Sequence, residues 1–162
     1  RVDHMSQFLA EHLEALEFES SGTEKPVSAT FQDPCRLGRH MGVYDEPRQV
    51  VTATGIQLLE MEHARNTALC CGTSCWTACG QVNKNIQVER LKEAKATGAD
   101  FLITACNKCR IHFRCAQQDS VLSDDVRVQI KDFTTLVAGC LKQKKVHNDP
   151  LEEKHAAQLG AR

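Results

Sequence analysis

Three groups of cysteines divide the chain at regular intervals. Cys35 stands alone, 34 residues separate it from the pair Cys70 and Cys71, and another 34 separate that pair from Cys106, which opens a Cys-x-x-Cys pair with Cys109. Thiolates bind both zinc and iron, and a Cys-x-x-Cys pair can direct two sulfurs to one metal region. Adjacent cysteines point in different directions, which suits a cluster of several metals better than a single ion. Such a site requires a fold that brings three distant segments together.

Strand and helix patterns alternate along the sequence. Runs of β-branched and aromatic residues predict strands, and apolar residues at helical spacing predict the helices between them. The predicted strands are 27–32, 56–62, 101–104 and 126–130, and the predicted helices are 5–18, 46–54, 81–97, 107–118 and 133–141. This alternation predicts an α/β domain with a mostly parallel, Rossmann-like βαβ sheet and helices on both faces.

Residues 81–97 carry the clearest helical pattern of the chain. The apolar residues that fall near one stripe of this helix are Val82, Ile86, Leu91 and Ala94. Charged residues, Arg90 among them, lie elsewhere on the helix. Ser6 and Asn107 are the residues that we expect to cap the first and fourth helices.

Each cysteine group follows the predicted end of a strand. Cys35 follows the first strand, Cys70 and Cys71 follow the second, and Cys106 follows the third. The carboxyl ends of parallel strands share one edge of a sheet, and ligands bind at that edge. We therefore expect the cysteine site at the carboxyl ends of the strands.

The segment from Asp33 to Cys109 resembles the CCG motif, in which a lone cysteine precedes Cys-Cys-Gly and then Cys-x-x-Cys. The sequences CCGTSCWTACG at 70–80 and ITACNKCRIHFRCAQ at 103–117 also resemble the heterodisulfide reductase branch of this family. Over about residues 27–141, the chain is thus similar to the cysteine-rich domain of heterodisulfide reductase B- and D-type subunits.

This resemblance implies a redox function. It implies an oxidoreductase that transfers electrons to or from a disulfide or thiol substrate at a noncubane [4Fe-4S] cluster, with other iron–sulfur or flavin subunits as partners. The cysteines that it assigns to the cluster are Cys35, Cys70, Cys71, Cys106 and Cys109. Most B-type catalytic subunits carry two such motifs, and the single motif here fits a one-motif domain or a fragment of a two-motif protein.

The sequence also allows two other functions. One is a structural zinc module, which needs only four thiolates and no redox activity. An example of such a set is Cys71, Cys75, Cys106 and Cys109. The other is a docking module of a redox complex that keeps the fold and passes no electrons.

Four further cysteines lie outside the assigned set. Cys75 and Cys79 follow Cys71 at intervals of four residues, and they are interpreted as extra ligands, a zinc pair or small buried residues. Cys115 and Cys140 are expected to serve packing.

Basic residues flank the cysteines, and a glycine follows the adjacent pair. The flanking residues are Arg36, Arg39, His40, Lys108, Arg110, His112 and Arg114. They either lower thiolate pKa values, offset the charge of a cluster or guide an anionic thiol, or they form solvated helix faces. Gly72 is expected to let the backbone pass close to a bulky cofactor.

Composition excludes several classes of protein. A net charge of -1 gives no electrostatic footprint for nucleic acid. No apolar run reaches the length of a membrane span, and many cysteines without a secretory signal indicate a reducing compartment. We therefore expect a cytoplasmic protein, which partners could attach to a membrane complex.

The domain organisation is predicted as an N-terminal helix and linker at 1–26, an iron–sulfur domain at 27–143 and a polar tail at 144–162. Because the sequence begins with Arg1, we expect it to be a piece of a longer chain or a processed form.

Overall fold

A computed structural model describes residues 2–19, 26–73, 80–118 and 124–142. The strands are β1 (Ser28–Gln32), β2 (Gln57–Leu58), β3 (Phe101–Thr104) and β4 (Gln129–Asp132), and the helices are α1 (Met5–Glu11), α2 (Asp45–Ala53), α3 (Gln81–Ala96), α4 (Asn107–Gln117) and α5 (Phe133–Cys140). Within the described residues, the strands form one parallel sheet in the order β2-β1-β3-β4. The predicted α/β class is confirmed.

The two central strands are buried along their whole length. Every residue of β1 and β3 is buried, and Gln32 is in register with Thr104. At the other end, the N–H and the hydroxyl of Ser28 each donate a hydrogen bond of 2.8 Å to the carboxylate of Asp100. The carboxyl ends of β1 and β3, which lead into the first and third cysteine groups, therefore lie level with one another.

Helices cover both faces of the sheet, as predicted. On one face, α3 and α4 pack against Leu102 and Ile130. On the other face, α2 and α5 pack against Phe31 and Ile103, and Leu9 of α1 joins them. This division follows from the strand geometry, because successive side chains of a strand point to opposite faces.

The second strand is much shorter than predicted. Residues 56–62 alternate apolar and polar side chains, but only Gln57–Leu58 pairs with β1. The rest of the alternation has other causes. Glu60 accepts a hydrogen bond of 2.6 Å from Arg48, and Met61 is buried in the core cluster of the α3–α4 face.

Two other segments also differ from the sequence prediction. The fourth strand, predicted at 126–130, begins later because Asp124–Val126 forms a 3-10 turn that buries Val126 in the core. Between the first predicted strand and the second predicted helix, Arg36–His40 forms a π-helical turn.

The first helix begins with a histidine cap. His4 is its N-cap, and the prediction of Ser6 in that role was wrong. The Nδ1 atom of His4 accepts a hydrogen bond of 3.1 Å from the N–H of Ser6, and the side chain of Gln7 accepts one of 3.1 Å from the N–H of His4. The helix ends at Glu11, short of its predicted end at residue 18.

The N-terminal segment also pairs with the end of α5. Phe18 forms an antiparallel bridge with Leu141. The division into 1–26, 27–143 and 144–162 remains a prediction, and the tail lies outside the described residues. Among the helices that the structure describes, none has the length and apolar character needed to cross a membrane.

Candidate metal centre

The three cysteine groups meet at the carboxyl edge of the sheet. Cys35 follows β1 and Cys106 follows β3, and the strand order reverses between these two strands. Cys70 and Cys71 lie between β2 and α3, after the 3-10 turn Arg65–Thr67. A crevice outside the strand ends at such a reversal is where open α/β sheets bind ligands.

Four thiols form a continuous row of neighbouring side chains, each close enough to shift the pKa of the next. Cys71 contacts both Cys70 and Cys109, and Cys109 also contacts Cys106. Cys71 and Cys109 are 5% and 3% exposed and belong to the core cluster of the α3–α4 face. Cys70 and Cys106 are half-buried. The row joins the loop after β2 to the start of α4.

The pKa shifts alternate in direction along this thiol row. The thiol of Cys109 lowers the pKa of Cys71, and it also lowers the pKa of Cys106, to about 6. The pKa of Cys70 is raised by its hydrogen bond to Cys71 and by burial, and the pKa of Cys109 is raised by its bonds to Cys106 and Cys71. The site thus favours thiolates at Cys71 and Cys106.

The start of α4 reinforces the thiolate of Cys106. Cys106 is the N-cap of the helix, in extended conformation, and Asn107 is its first helical residue, so the prediction of Asn107 as the cap was wrong. The backbone N–H groups of Lys108 and Cys109 also lower the pKa of Cys106. A helix N-terminus stabilises negative charge in this way.

Cys35 reaches the same site from β1. It is exposed and immediately precedes the π-helical turn Arg36–His40. Cys35, Cys70 and Cys71 together line a narrow cleft of about 10 Å³, and Arg39 lies on its wall. The structure therefore brings all five assigned cysteines to one edge of the sheet, four in the row and Cys35 beside it.

A partly buried ion-pair network fixes the segment before Cys35. The guanidinium of Arg48 donates to both oxygens of Asp33, at 2.7 and 2.9 Å, and to both oxygens of Glu60, at 2.6 and 2.9 Å. Burial opposes the charge of Arg48, but the two carboxylates outweigh it and raise the pKa of Arg48. Asp33 also accepts a hydrogen bond of 2.7 Å from the N–H of Arg65, in the loop that leads to Cys70.

A second buried arginine ties the cysteine loops to α3. Arg90 is fully buried, and its Nε donates a hydrogen bond of 2.5 Å to Gln32 at the end of β1. Gln32 in turn donates to the carbonyls of Asp33 and Leu69, at 3.2 Å each. Since Leu69 directly precedes Cys70, this network sets the spacing between two of the cysteine groups. Sequence analysis missed it because Arg90 lies off the apolar stripe.

Comparison with known proteins places this site in a family. Residues 29–114, just over half of the chain, match the cysteine-rich domain family known as CCG. The chain belongs to this family. No solved structure is a significant match.

Several curated relatives of this CCG domain are named as redox proteins. The D-type subunit of dihydromethanophenazine:CoB–CoM heterodisulfide reductase from Methanosarcina barkeri is 34% identical over 86% of this chain and 34% of the relative. A protein of Bacillus subtilis named as a probable iron-sulfur-binding oxidoreductase is 38% identical over 49% of this chain and 12% of its own. An EtfAB:quinone oxidoreductase of Syntrophomonas wolfei is 36% identical over 51% and 13%. The chain thus spans about a third of the length of the heterodisulfide reductase protein, and less of the others.

The glycine of the CCG motif faces a helix. Gly72 has a left-handed φ of +76°, and a Cβ atom there would lie 2.6 Å from the carbonyl oxygen of Asn83 and 2.6 Å from the Cγ of Gln87. The expected close approach is therefore present, but the neighbour is α3. This contact sets how closely Cys71 approaches the core.

The flanking basic residues of the CCG domain divide between several places. Arg39 donates to the carbonyls of Asn66 and Ala68, and so braces the loop that leads to Cys70. His112 is hydrogen-bonded to Gln87 at 3.2 Å. The other side of α4 presents basic residues to a separate groove.

The remaining cysteines have different surroundings. Cys75 and Cys79 lie outside the described residues, as does Trp76. Cys140 packs against the core cluster of the α2–α5 face, as expected for a packing residue. The same prediction was wrong for Cys115, which is exposed and lies 3.6 Å from Nζ of Lys84.

The donor set agrees with an iron–sulfur cluster. Such clusters require soft, anionic sulfur ligands, and the CCG domain supplies five thiols at one edge, two of them favoured as thiolates. Within the described parts of the chain, no group of three or more His, Cys, Asp and Glu side chains is arranged to hold a metal ion. The agreement with an iron–sulfur cluster therefore rests on the number of thiols and on their chemistry, and not on a preformed metal geometry.

Proposed function

We propose that this CCG domain is the iron–sulfur redox domain of a heterodisulfide reductase-like complex. In this proposal, Cys35, Cys70, Cys71, Cys106 and Cys109 hold a noncubane [4Fe-4S] cluster, and the domain exchanges electrons with a disulfide or thiol substrate. The observation that carries the proposal is the thiol row, which unites two cysteine groups far apart in sequence beside the cleft that Cys35 lines.

The role of the bound cluster would be to accept and donate electrons, and the role of the chain is to hold the sulfurs in place. Two thiols are already favoured as thiolates, the protonation state in which cysteine binds metal. The Arg48–Asp33 and Arg90–Gln32 contacts fix the segments before Cys35 and Cys70. Cys35, the exposed member of the set, is the sulfur that faces an incoming substrate.

The complex around the domain is also part of the proposal. The relatives are named as oxidoreductases or their subunits, and they are longer than this chain. We infer that the domain works beside other iron–sulfur or flavin subunits, and in the cytoplasm. The free thiols among the described cysteines suit that reducing compartment.

Metal analysis tests the proposal directly. The chain is purified without oxygen, and iron, sulfide and zinc are measured together with the electron paramagnetic resonance spectrum after oxidation and addition of a thiol. About four iron and four sulfide per chain, with a thiol-dependent signal, would support the cluster and the redox function. One zinc per chain with no signal would support a structural module.

Two serine variants on α4 sharpen this test. Cys106→Ser removes a half-buried member of the thiol row at the N-cap of α4, whereas Cys115→Ser removes an exposed thiol within the helix. We expect Cys106→Ser to lose most of the bound iron and Cys115→Ser to keep it. Equal iron content in both variants would contradict the proposed ligand set.

A further inference from the structure

A groove runs along the free edge of the sheet. It has a volume of about 520 Å³ and lies between α4 and α5, with β4 at its floor. Ile130 and Leu136 supply its apolar surface, and Arg110 and Arg114 stand on its α4 side. It is separate from the cysteine cleft.

Among the described residues, β4 pairs with β3 alone, so it is the outer strand of the described sheet. Proteins often protect such an edge with a lysine that extends into solvent. Lys131 of β4 does not do so, because its Nζ lies 3.9 Å above the ring of Phe101 on the neighbouring strand.

The charge of the groove is positive. Arg110 and Arg114 are one helical turn apart on α4, and no ion pair to a described residue engages either of them. Asp132 also lines the groove, but its carboxylate accepts a hydrogen bond of 3.0 Å from the N–H of Thr135 and caps α5. The groove is therefore suited to carboxylates.

We propose that this groove is the docking site of a partner protein, which adds an extended segment rich in Asp and Glu as a fifth strand beside β4. Main-chain hydrogen bonds to the open edge would hold the segment, and its acidic side chains would meet Arg110 and Arg114. The site lies next to the thiol row, because Arg110 follows Cys109 and Asp132 is in register with Thr104. A partner docked there would be held beside the redox site, although the docking itself does not depend on any cluster.

Peptide binding to the full chain tests this proposal. The probe is a fluorescently labelled peptide of about ten residues that alternates Val and Glu, so that its acidic side chains lie on one face. Two control peptides are used, one with Lys in place of Glu and one with alternate backbone amides methylated. Binding is followed by fluorescence anisotropy, and amide hydrogen exchange is measured over Gln129–Asp132.

We expect the acidic peptide to bind, to slow exchange in β4 and to bind less well as salt increases. Arg114→Glu should weaken binding about fivefold or more at low salt, whereas Lys92→Glu, an equal charge change at an exposed position of α3, should leave it nearly unchanged. Equal binding of either control peptide, or an equal effect of both variants, would overturn the proposal. So would a dimer of the chain whose β4 amides are protected without peptide, since the edge would then belong to a second copy.

Discussion

Gly72 governs how the second cysteine group meets the core. Its backbone is left-handed and passes so close to α3 that no Cβ atom fits beside Asn83 and Gln87. The residue just before it, Cys71, is the buried centre of the thiol row. Adding one methyl group at Gly72 should therefore disturb both the position of Cys71 and the stability of the fold.

We predict that Gly72→Ala destabilises the chain more than Gly98→Ala does. Both glycines have left-handed φ values, +76° and +72°, but a Cβ at Gly98 meets nothing within 4 Å. Gly98→Ala should cost about 1 kcal/mol of unfolding free energy through the backbone alone, and Gly72→Ala should cost about 1–3 kcal/mol more through the clash. Urea unfolding of both variants measures the difference. Equal losses would show that α3 moves aside freely.

Arg90 shows what residue-level sequence reasoning cannot reach. Arg90 lies among charged neighbours and away from the apolar stripe, yet it is fully buried, whereas Val82 of the stripe is 71% exposed. The reason is tertiary: Arg90 finds hydrogen-bond partners in Gln32, the carbonyl of His63 and Glu93. Their approach to α3 depends on the whole fold, so helical periodicity carries no signal for it.

At the scale of elements, the sequence predicts central strands better than edges and ends. The third strand, 101–104, matches its prediction because a short apolar run between turn signals is typical of a buried strand. The second strand and the first helix were predicted too long. In both segments the apolar pattern continues past the element, since side chains beyond its end still reach the core.

The cap of α1 makes the stability of the chain depend on pH. Burial lowers the pKa of His4 below its ordinary value of 6.5, so the unfolded chain binds a proton more readily than the folded chain. This contribution to stability is complete above about pH 6.5 and is lost as the pH falls toward the lower pKa of the folded state. Protonation of Nδ1 would also remove the acceptor for the N–H of Ser6.

We therefore predict that His4→Asn makes the chain less sensitive to acid. Asparagine caps helices well and has no proton to gain in this range. The measurement is the unfolding free energy of both proteins in urea at about pH 7.5 and pH 5.5. The natural chain should lose more stability than the variant between these two pH values. An identical loss in both would place the acid sensitivity elsewhere.

At the scale of the whole molecule, topology explains why the site was predictable in outline. Alternating strands and helices predict a parallel sheet, and a parallel sheet brings the segments after its strands to one edge. That reasoning places Cys35 and Cys106 correctly. It does not give the thiol row, because the approach of Cys71 to Cys109 depends on the close packing of the loop after β2 against α3 and α4.

The two core clusters consist mainly of apolar residues of the strands and helices, and of the five assigned cysteines only Cys71 and Cys109 are among their buried members. We therefore predict that the chain stays folded when bound metal is removed, unlike small zinc domains that unfold without metal. Far-UV circular dichroism should be retained, and urea should still unfold the metal-free chain in one cooperative transition. Phe31→Ala serves as the comparison, because it removes a core side chain that is 1% exposed. It should lower the unfolding free energy by about 3–5 kcal/mol. Unfolding on metal removal would mean that the thiols hold the fold together, and it would favour a structural metal over a redox cluster.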